Sequence, residues 1–372
     1  MIYLDNAATT PMLDEVKEVM IKDYYNPSSI HKAGIEAKTA IDKARNIIAK
    51  AISCNPKEII FTSGGTEANN LALRGYARNF GGGKIITTQI EHPSVLKTCK
   101  HLERKGFEVI YLPVNDKGLI DLEDLKKELT LDTILVSIMS VNNEIGTQQN
   151  IKEIGDMCRR YNRTFHTDAV QAFGHIPINV HRLNIDMMSV SGHKFGAPKG
   201  TGFLYKKKNI DLKRIMYGGK QERKIRAGTQ NVNGIVGLGV ATELHRKNMS
   251  NNMKSLYNSY MYMYRELSKE PSVTINSDPD HTAHTCLNIS IDGVNGEELL
   301  TLLNEVDICV STGSACSSKS NKPSYVLTSL GLTEEQANSS IRISLNEQIP
   351  FEDIKIATSH ILNSANILRN RK

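Results

Sequence analysis

Lys194 stands in the run Met187-Met188-Ser189-Val190-Ser191-Gly192-His193-Lys194-Phe195-Gly196, after an apolar β-prone stretch and before a glycine-rich turn. A lysine partly withdrawn from water is less stable in its charged form, so its pKa falls from about 10.4 and its amine becomes a nucleophile toward aldehydes. Taken alone, the residue reads equally well as a strand-end lysine with a buried stem and a solvated ammonium. Its neighbours favour the first reading. Ser191 and His193 supply a hydroxyl and an imidazole beside the amine, and Gly192 lets backbone come close, so a phosphate can be gripped there. Pyridoxal phosphate is the cofactor that needs both an amine and a phosphate cradle.

Two further segments suit the same cofactor. Phe61-Thr62-Ser63-Gly64-Gly65-Thr66-Glu67-Ala68-Asn69-Asn70 reads as a strand end, a glycine turn and a helix start. Backbone N–H groups at that helix start, with the Thr66 hydroxyl, make an anion cradle favoured by the helix dipole. By itself the turn is also what a plain strand-to-helix connection looks like. Thr164-Phe165-His166-Thr167-Asp168-Ala169-Val170-Gln171 is a short β-prone run that ends in an acid. Asp168 is placed either to hold a pyridinium nitrogen protonated, which an electron sink requires, or to cap a turn. Gln171 either hydrogen-bonds the ring hydroxyl of the cofactor or caps a turn.

Taken together, several segments resemble one family. They are Tyr3-Leu4-Asp5-Asn6-Ala7-Ala8-Thr9-Thr10-Pro11, Asn26-Pro27-Ser28-Ser29-Ile30-His31, Thr62 to Asn70, Glu91-His92, Asn142-Asn143-Glu144-Ile145-Gly146, Asp168 to Gln171, and Ser191 to Lys194. Their order and content resemble the cysteine desulfurases, in the class V branch of the pyridoxal-phosphate aminotransferases, and the serine-rich segment around Cys316 resembles the iron–sulfur (NifS/IscS-like) type of that family. The resemblance spans nearly the whole chain. It implies Lys194 as the Schiff-base lysine, Asp168 at the ring nitrogen, and Gln171 at the ring hydroxyl. It places Gly65, Thr66, Ser191 and His193 at the phosphate, and His92 stacked on the ring and assisting proton transfer. Asn143 and Arg342 would bind the substrate carboxylate, a task that suits the planar fork of a guanidinium. Arg342 without the resemblance reads as a solvent-facing residue of an alternating strand. Thr229, in Arg226-Ala227-Gly228-Thr229, would reach the phosphate held by the other subunit, which implies a homodimer. The preceding Gly218-Gly219-Lys220-Gln221-Glu222-Arg223-Lys224 departs from the family pattern by carrying lysines where further glycines are common.

What separates this branch from a transaminase is Val310-Ser311-Thr312-Gly313-Ser314-Ala315-Cys316-Ser317-Ser318-Lys319-Ser320-Asn321, a small, polar stretch with one thiol. It has little to bury and reads as a mobile loop carrying an exposed, reactive cysteine. The resemblance implies that Lys194 takes the α-proton of L-cysteine and that Cys316 then attacks the substrate sulfur. Alanine leaves, and a persulfide passes to a protein acceptor such as an iron–sulfur scaffold or a tRNA-thiolation enzyme. No metal site is expected, apart from Cys316 as a transient iron–sulfur ligand. The chain ends about 30 residues after Arg342, so the long C-terminal extension with which some relatives dock a scaffold is not expected. A class V aminotransferase or a selenocysteine lyase is the alternative.

These residues need a frame to hold them. With 372 residues the chain has length for two domains and a sizeable core. The formal charge of +6 is dispersed, so no nucleic-acid partner is expected. The six cysteines follow neither metal-ligand nor disulfide-scaffold spacing, which points to a reducing cytoplasm. No apolar run reaches membrane-spanning length and no leader precedes Ile2, so no membrane partner is expected. A helix is expected over 31–53. Strands are expected over 58–62, 84–88, 107–112, 133–139, 164–167, 185–190 and 201–205, with crossover helices between them. That alternation implies an α/β fold with a mainly parallel seven-stranded sheet and ligands near the strand ends. The resemblance makes it the aspartate-aminotransferase-like (fold type I) architecture. The large domain is expected over 15–250 and a smaller α+β domain over 1–14 and 251–372. A long helix from about residue 250 and a strand over 287–291 belong to the smaller one.

Overall fold

The computed structural model describes residues 1–313 and 323–371. The chain opens with β1 (Ile2–Tyr3), and β-branched and aromatic runs then give β2 (Ile59–Thr62), β3 (Lys84–Thr88), β4 (Glu108–Leu112), β5 (Thr133–Ser137), β6 (Thr164–Asp168), β7 (Met187–Ser191) and β8 (Gly202–Lys206). The last seven form one sheet in the order β2-β8-β7-β6-β5-β3-β4. Strands β7 and β2 are buried along their whole length, as expected of a sheet covered on both faces.

Four adjacent pairs, from β4 through β3, β5 and β6 to β7, are parallel. Strand β8 runs antiparallel to both β7 and β2, with Val190 opposite Phe203 and Phe61 opposite Phe203 on the other side. The reason is the connection. Parallel strands need a crossover of about a dozen residues or more, usually a helix, and the 192–201 segment is too short for one. That short return carries Lys194, so the sheet's one change of direction puts the lysine against the end of β7.

Helices α1 (Asp14–Met20), α2 (Lys32–Ala51), α3 (Gly65–Ala77), α4 (Pro93–Glu103), α5 (Leu122–Glu128), α6 (Ile151–Arg160) and α7 (Val232–Leu267) accompany the sheet. The start of α7 corrects the sequence reading, which put this helix near residue 250. Gly234, Gly237 and Gly239 weaken its helical signal, yet they allow close packing. A Cβ at Gly239 would lie 2.8 Å from Ala44 Cβ on α2, and one at Gly237 would lie 3.0 Å from Val16 Cγ1 on α1. The Asn231 side chain caps the helix by accepting from Gly234 N.

A second core is built from the end of α7, the three-stranded antiparallel sheet of β9 (Val273–Ile275), β10 (Cys286–Ile291) and β12 (Ser340–Ser344), and the helices α8 (Gly296–Glu305) and α11 (Phe351–Asn370). Strand β11 (Ile308–Cys309) pairs with β1. The N-terminal segment joins the two cores, with Leu4 buried in the smaller and Leu13 in the larger. A third contact comes from α9 (Tyr325–Ser329) and α10 (Glu334–Asn338), whose Val326, Leu327 and Ala337 pack on Ile90, Met139 and Ile145 of the large domain. Among the described residues no helix is long and apolar enough to cross a membrane.

Candidate active site

The C-terminal ends of β3, β5, β6 and β7 open into a cavity of about 370 Å³ whose walls include Lys194, Asp168, His92, Thr66 and Arg342. Lys194 closes a single 3-10 turn, Gly192–Lys194, held by Phe195 N to Gly192 O at 3.1 Å and Gly192 N to Thr201 O at 2.9 Å. Its Nζ donates to the carbonyls of Ala7 at 2.7 Å and Ala8 at 2.8 Å. Its own carbonyl accepts from the Thr10 hydroxyl at 2.9 Å, with His175 Nε2 at 3.2 Å. The N-terminal segment therefore forms one wall of the site and aims the amine.

At the other side of the cavity lies the start of α3. No side chain caps this helix, in contrast to α4, α5, α6 and α7, so its first N–H groups keep their unmet demand for an acceptor. A Cβ at Gly65 would come 2.7 Å from Val170 Cγ2, so only glycine fits the backbone this close. Thr66, Ser191 and His193 line the same space. Burial pushes the His193 imidazole down to about 4, with the positive charges of Lys194 and Lys199 acting in the same direction. The ring is neutral, and its Nδ1 pairs with Thr9 Oγ1 at 3.1 Å. Orphan N–H groups, hydroxyls and a helix N-terminus match a phosphate.

Asp168 ends β6 almost fully buried. Its Oδ1 accepts from Val170 N at 2.9 Å and its Oδ2 from Asn69 Nδ2 at 2.7 Å. The other hydrogen of the Asn69 amide goes to Ser94 Oγ at 2.8 Å, and the Ser94 hydroxyl lies 2.8 Å from His92 Nδ1. His92 Nδ1 also accepts from Ser94 N at 3.1 Å, as the cap of α4. With Nδ1 accepting, this network assigns the ring proton to Nε2. Burial lowers the His92 pKa, Lys194 adds to that shift and Asp168 opposes it, so the imidazole is neutral at neutral pH. Gln171 Nε2 donates to the Ala7 carbonyl at 3.0 Å, the same oxygen that takes the Lys194 ammonium.

Arg342 lies at the centre of β12, all five of whose residues are buried, so the expectation of a solvent-facing arginine from strand alternation does not hold. Its guanidinium donates to Asp5 Oδ1 at 2.7 Å and to the Asn143 carbonyl at 3.1 Å, while Nε is buried without a partner. Asn143 and Glu144 line the cavity beside it.

Glu91, the residue before His92, is fully buried. Its Oε1 accepts from Met139 N at 2.8 Å and from the Thr88 hydroxyl at 3.0 Å, and its Oε2 has no partner. Burial pushes its carboxyl up to about 8, and the nearby charge of Asp168 adds to this. Between the ordinary carboxylate value of about 4.3 and about 8, the folded protein keeps a proton that the unfolded chain has released. Stability therefore falls as pH rises through that window and levels off above it. Glu91→Gln is expected to remove this fall. Thermal unfolding followed from about pH 5 to about pH 9 checks it, and a variant as pH-sensitive as the wild type would contradict the assignment.

Lys194, His92, Gly65, Thr66, Asp168, Gln171, Ser191, His193, Asn143 and Arg342 thus all meet at one cavity. Thr229 does not. It is exposed on the segment that Arg226 ties to Glu67 through bonds of 2.8 and 3.2 Å. Cys316 lies outside the described residues. Asn69, Ser94, Glu144 and the Asp5–Thr10 segment received no role from sequence. For Asn69 a signal existed: it stands one helical turn after Thr66, on the same face of α3. Among the described residues no cluster of His, Cys, Asp and Glu could hold a metal ion.

The comparisons with known proteins agree with this geometry. Residues 2–356 match the family model of the class-V aminotransferases. Cysteine desulfurase IscS of Methanosarcina thermophila is 45% identical over 375 residues, covering 99% of this chain and 93% of the relative. A solved NifS-like protein superposes with a TM-score of 0.92 at 37% identity, over 98% of this chain and 99% of the other. The structure of SspA in complex with cysteine gives 0.84 at 38% identity, over 93% of this chain and 99% of that one. The mainly parallel seven-stranded sheet and the smaller domain match the fold type I pyridoxal-phosphate aminotransferase architecture, and the chain belongs to the class-V aminotransferase family. Within that family it closely matches the NifS/IscS-like cysteine desulfurases.

Proposed function

We propose that the protein is a cysteine desulfurase that converts L-cysteine to L-alanine and carries the sulfur as a persulfide on Cys316 to an acceptor protein. The observation that carries this reading is the convergence of the Lys194 amine, Asp168 and Arg342 on one cavity. The likeness to cysteine desulfurases over 99% of the chain, and to a relative solved with cysteine, supports the choice of substrate.

Pyridoxal phosphate fits the cavity. The uncapped start of α3 with Thr66, Ser191 and His193 would take its phosphate, Asp168 its ring nitrogen, Gln171 its ring hydroxyl, His92 its face and Lys194 its aldehyde carbon. When bound, it supplies the electron sink for the charge left at the α-carbon of the substrate. The protein does the rest. Arg342 and Asn143 hold the substrate carboxylate and so fix which face of the α-carbon meets Lys194. Lys194 Nζ takes the α-proton, steered by the Ala7 and Ala8 carbonyls. Asp168, aimed by Asn69 and Val170 N, holds a proton at the ring nitrogen through its negative charge.

Neutral His92, protonated on Nε2, moves a proton at the substrate sulfur. The Cys316 thiolate attacks that sulfur. An S–S bond forms as the Cβ–S bond breaks, the electron pair stays with the carbon fragment, and protonation releases alanine. Thr229 serves the phosphate site of a second subunit in a homodimer, and the acceptor is an iron–sulfur scaffold or a tRNA-thiolation enzyme in a reducing cytoplasm.

The test is alanine formation from L-cysteine by the cofactor-loaded protein with a reductant, run beside transamination of L-alanine with a 2-oxo acid. Alanine formation without transamination is the expected result. Transamination alone would make the protein an aminotransferase.

A further inference from the structure

Asn69 is buried on α3 and gives both hydrogens of its amide to other elements. Its Nδ2 donates to Asp168 Oδ2 at the end of β6, at 2.7 Å, and to Ser94 Oγ in the first turn of α4, at 2.8 Å. Its Oδ1 is buried without a partner. The reverse placement of the amide would set this oxygen against an ionised carboxylate, which has nothing to donate. The charge of Asp168 therefore decides which way the amide points.

That direction is handed on. Ser94 Oγ takes a hydrogen from Asn69, which offers it no acceptor, so the serine's own hydrogen turns to His92 Nδ1, 2.8 Å away. The Ser94 backbone N–H points at the same nitrogen from 3.1 Å. Two donors thus face Nδ1, the atom at which an imidazole already carrying a proton on Nε2 would have to take its second one. The backbone N–H cannot turn away, whereas the hydroxyl can, and Asn69 controls which way it turns. The charged groups that act on the ring are Asp168, from β6, and Lys194, from the turn after β7, and they act in opposite directions. His193, Glu144 and Arg342 line the same cavity.

We propose that Asn69 and Ser94 are positioning residues: they pass the demand of the Asp168 carboxylate for a donor on to His92, and so keep the imidazole neutral, with its one proton on Nε2. This rests on the functional reading above only in the use made of His92, as the group that moves a proton at the substrate sulfur.

The test is Asn69→Asp, which keeps the shape of the side chain and removes its donors. Whether that carboxyl is ionised or shares a proton with Asp168, its oxygen beside Ser94 accepts, so the hydroxyl turns to it and away from Nδ1. The pH midpoint for protonation of His92 is read by nitrogen NMR of the cofactor-loaded protein labelled at histidine, with His92→Gln identifying the signal. Relative to the wild type it should rise by about one pH unit in Ser94→Ala, which removes one donor, and by about two in Asn69→Asp, which replaces that donor with an acceptor. The double variant should match Ser94→Ala within about half a pH unit, because two carboxylates this close share a proton and add little charge. A merely structural contribution of Asn69 would lower stability without moving the midpoint. A midpoint in Asn69→Asp at the wild-type value, or a rise in the double variant as large as in Asn69→Asp alone, would overturn the proposal. The acid side of the kcat/KM profile for alanine formation from L-cysteine separates the two readings. It should move up with the midpoint in each variant, since the proposed reaction uses the neutral ring. Midpoints that move as stated while the acid side stays in place support the positioning role and remove His92 from the proton step.

Discussion

Replacing Lys194 by alanine is expected to abolish both turnover and the covalent attachment of the cofactor. In the folded chain its Nζ is held between the carbonyls of Ala7 and Ala8, and its backbone is held from the other side by Thr10 and His175. Among the described residues no other amine lines the cavity. The variant should bind pyridoxal phosphate through the cradle at α3 but form no adduct that borohydride can trap, as read by absorbance and by the mass of the Lys194 peptide. Loss of proton transfer alone lowers the rate by about 10²–10⁴-fold, and loss of the covalent link adds to it. The fold should survive. The Ala7 carbonyl keeps its Gln171 partner, so the penalty is that of one or two lost hydrogen bonds, about 1–3 kcal/mol. A trapped adduct of unchanged yield would remove Lys194 from its role.

Cys316→Ser is expected to separate sulfur transfer from cofactor chemistry. Alanine release from L-cysteine should fall by about 10²-fold or more, while the spectrum of the bound cofactor stays as in the wild type. A serine hydroxyl is a far weaker nucleophile toward sulfur than a thiolate. Cys54, Cys99, Cys158 and Cys286 are poor substitutes. Burial pushes Cys54, Cys99 and Cys286 up to about 12, and it raises Cys158 as well, so all four stay protonated at neutral pH. Mass measurement of the protein after brief exposure to L-cysteine should show one added sulfur in the wild type and none in the variant. Equal alanine release from both proteins would make the thiol dispensable, leaving a pyridoxal enzyme of another specificity. Loss of the cofactor spectrum in the variant would contradict the division of labour between Lys194 and Cys316.

Much of the site was legible in the chain because its chemistry is local. The glycine turn before Thr66 and the run Ser191-Gly192-His193-Lys194 each place several functional groups within one turn of backbone. Their residue types therefore announce an anion cradle and an amine without any long-range information. Alternating β-prone and helical runs gave the strands to within a few residues, since apolar periodicity follows directly from burial on the sheet faces. The beginning of α7 was misread for the opposite reason. Its glycines lower helix propensity, and what repays them is contact with Ala44 and Val16, which lie on other helices.

The amino-acid sequence by itself pointed to a pyridoxal-phosphate site with Lys194 and Asp168 as its candidates, and determined the alternation that makes an α/β sheet. Each of these depends on residue type and on neighbours close along the chain. Only the tertiary structure decided that the N-terminal segment is part of the site, that Asp5 is the counter-ion of Arg342, and that Asn69 and Ser94 connect Asp168 to His92. It also decided that Glu144 lies buried at the same cavity as Arg342. These are pairings between groups distant in sequence, 337 positions apart for Asp5 and Arg342. Burial then sets their charge states, because the cost of a charge depends on how much water the whole fold has removed.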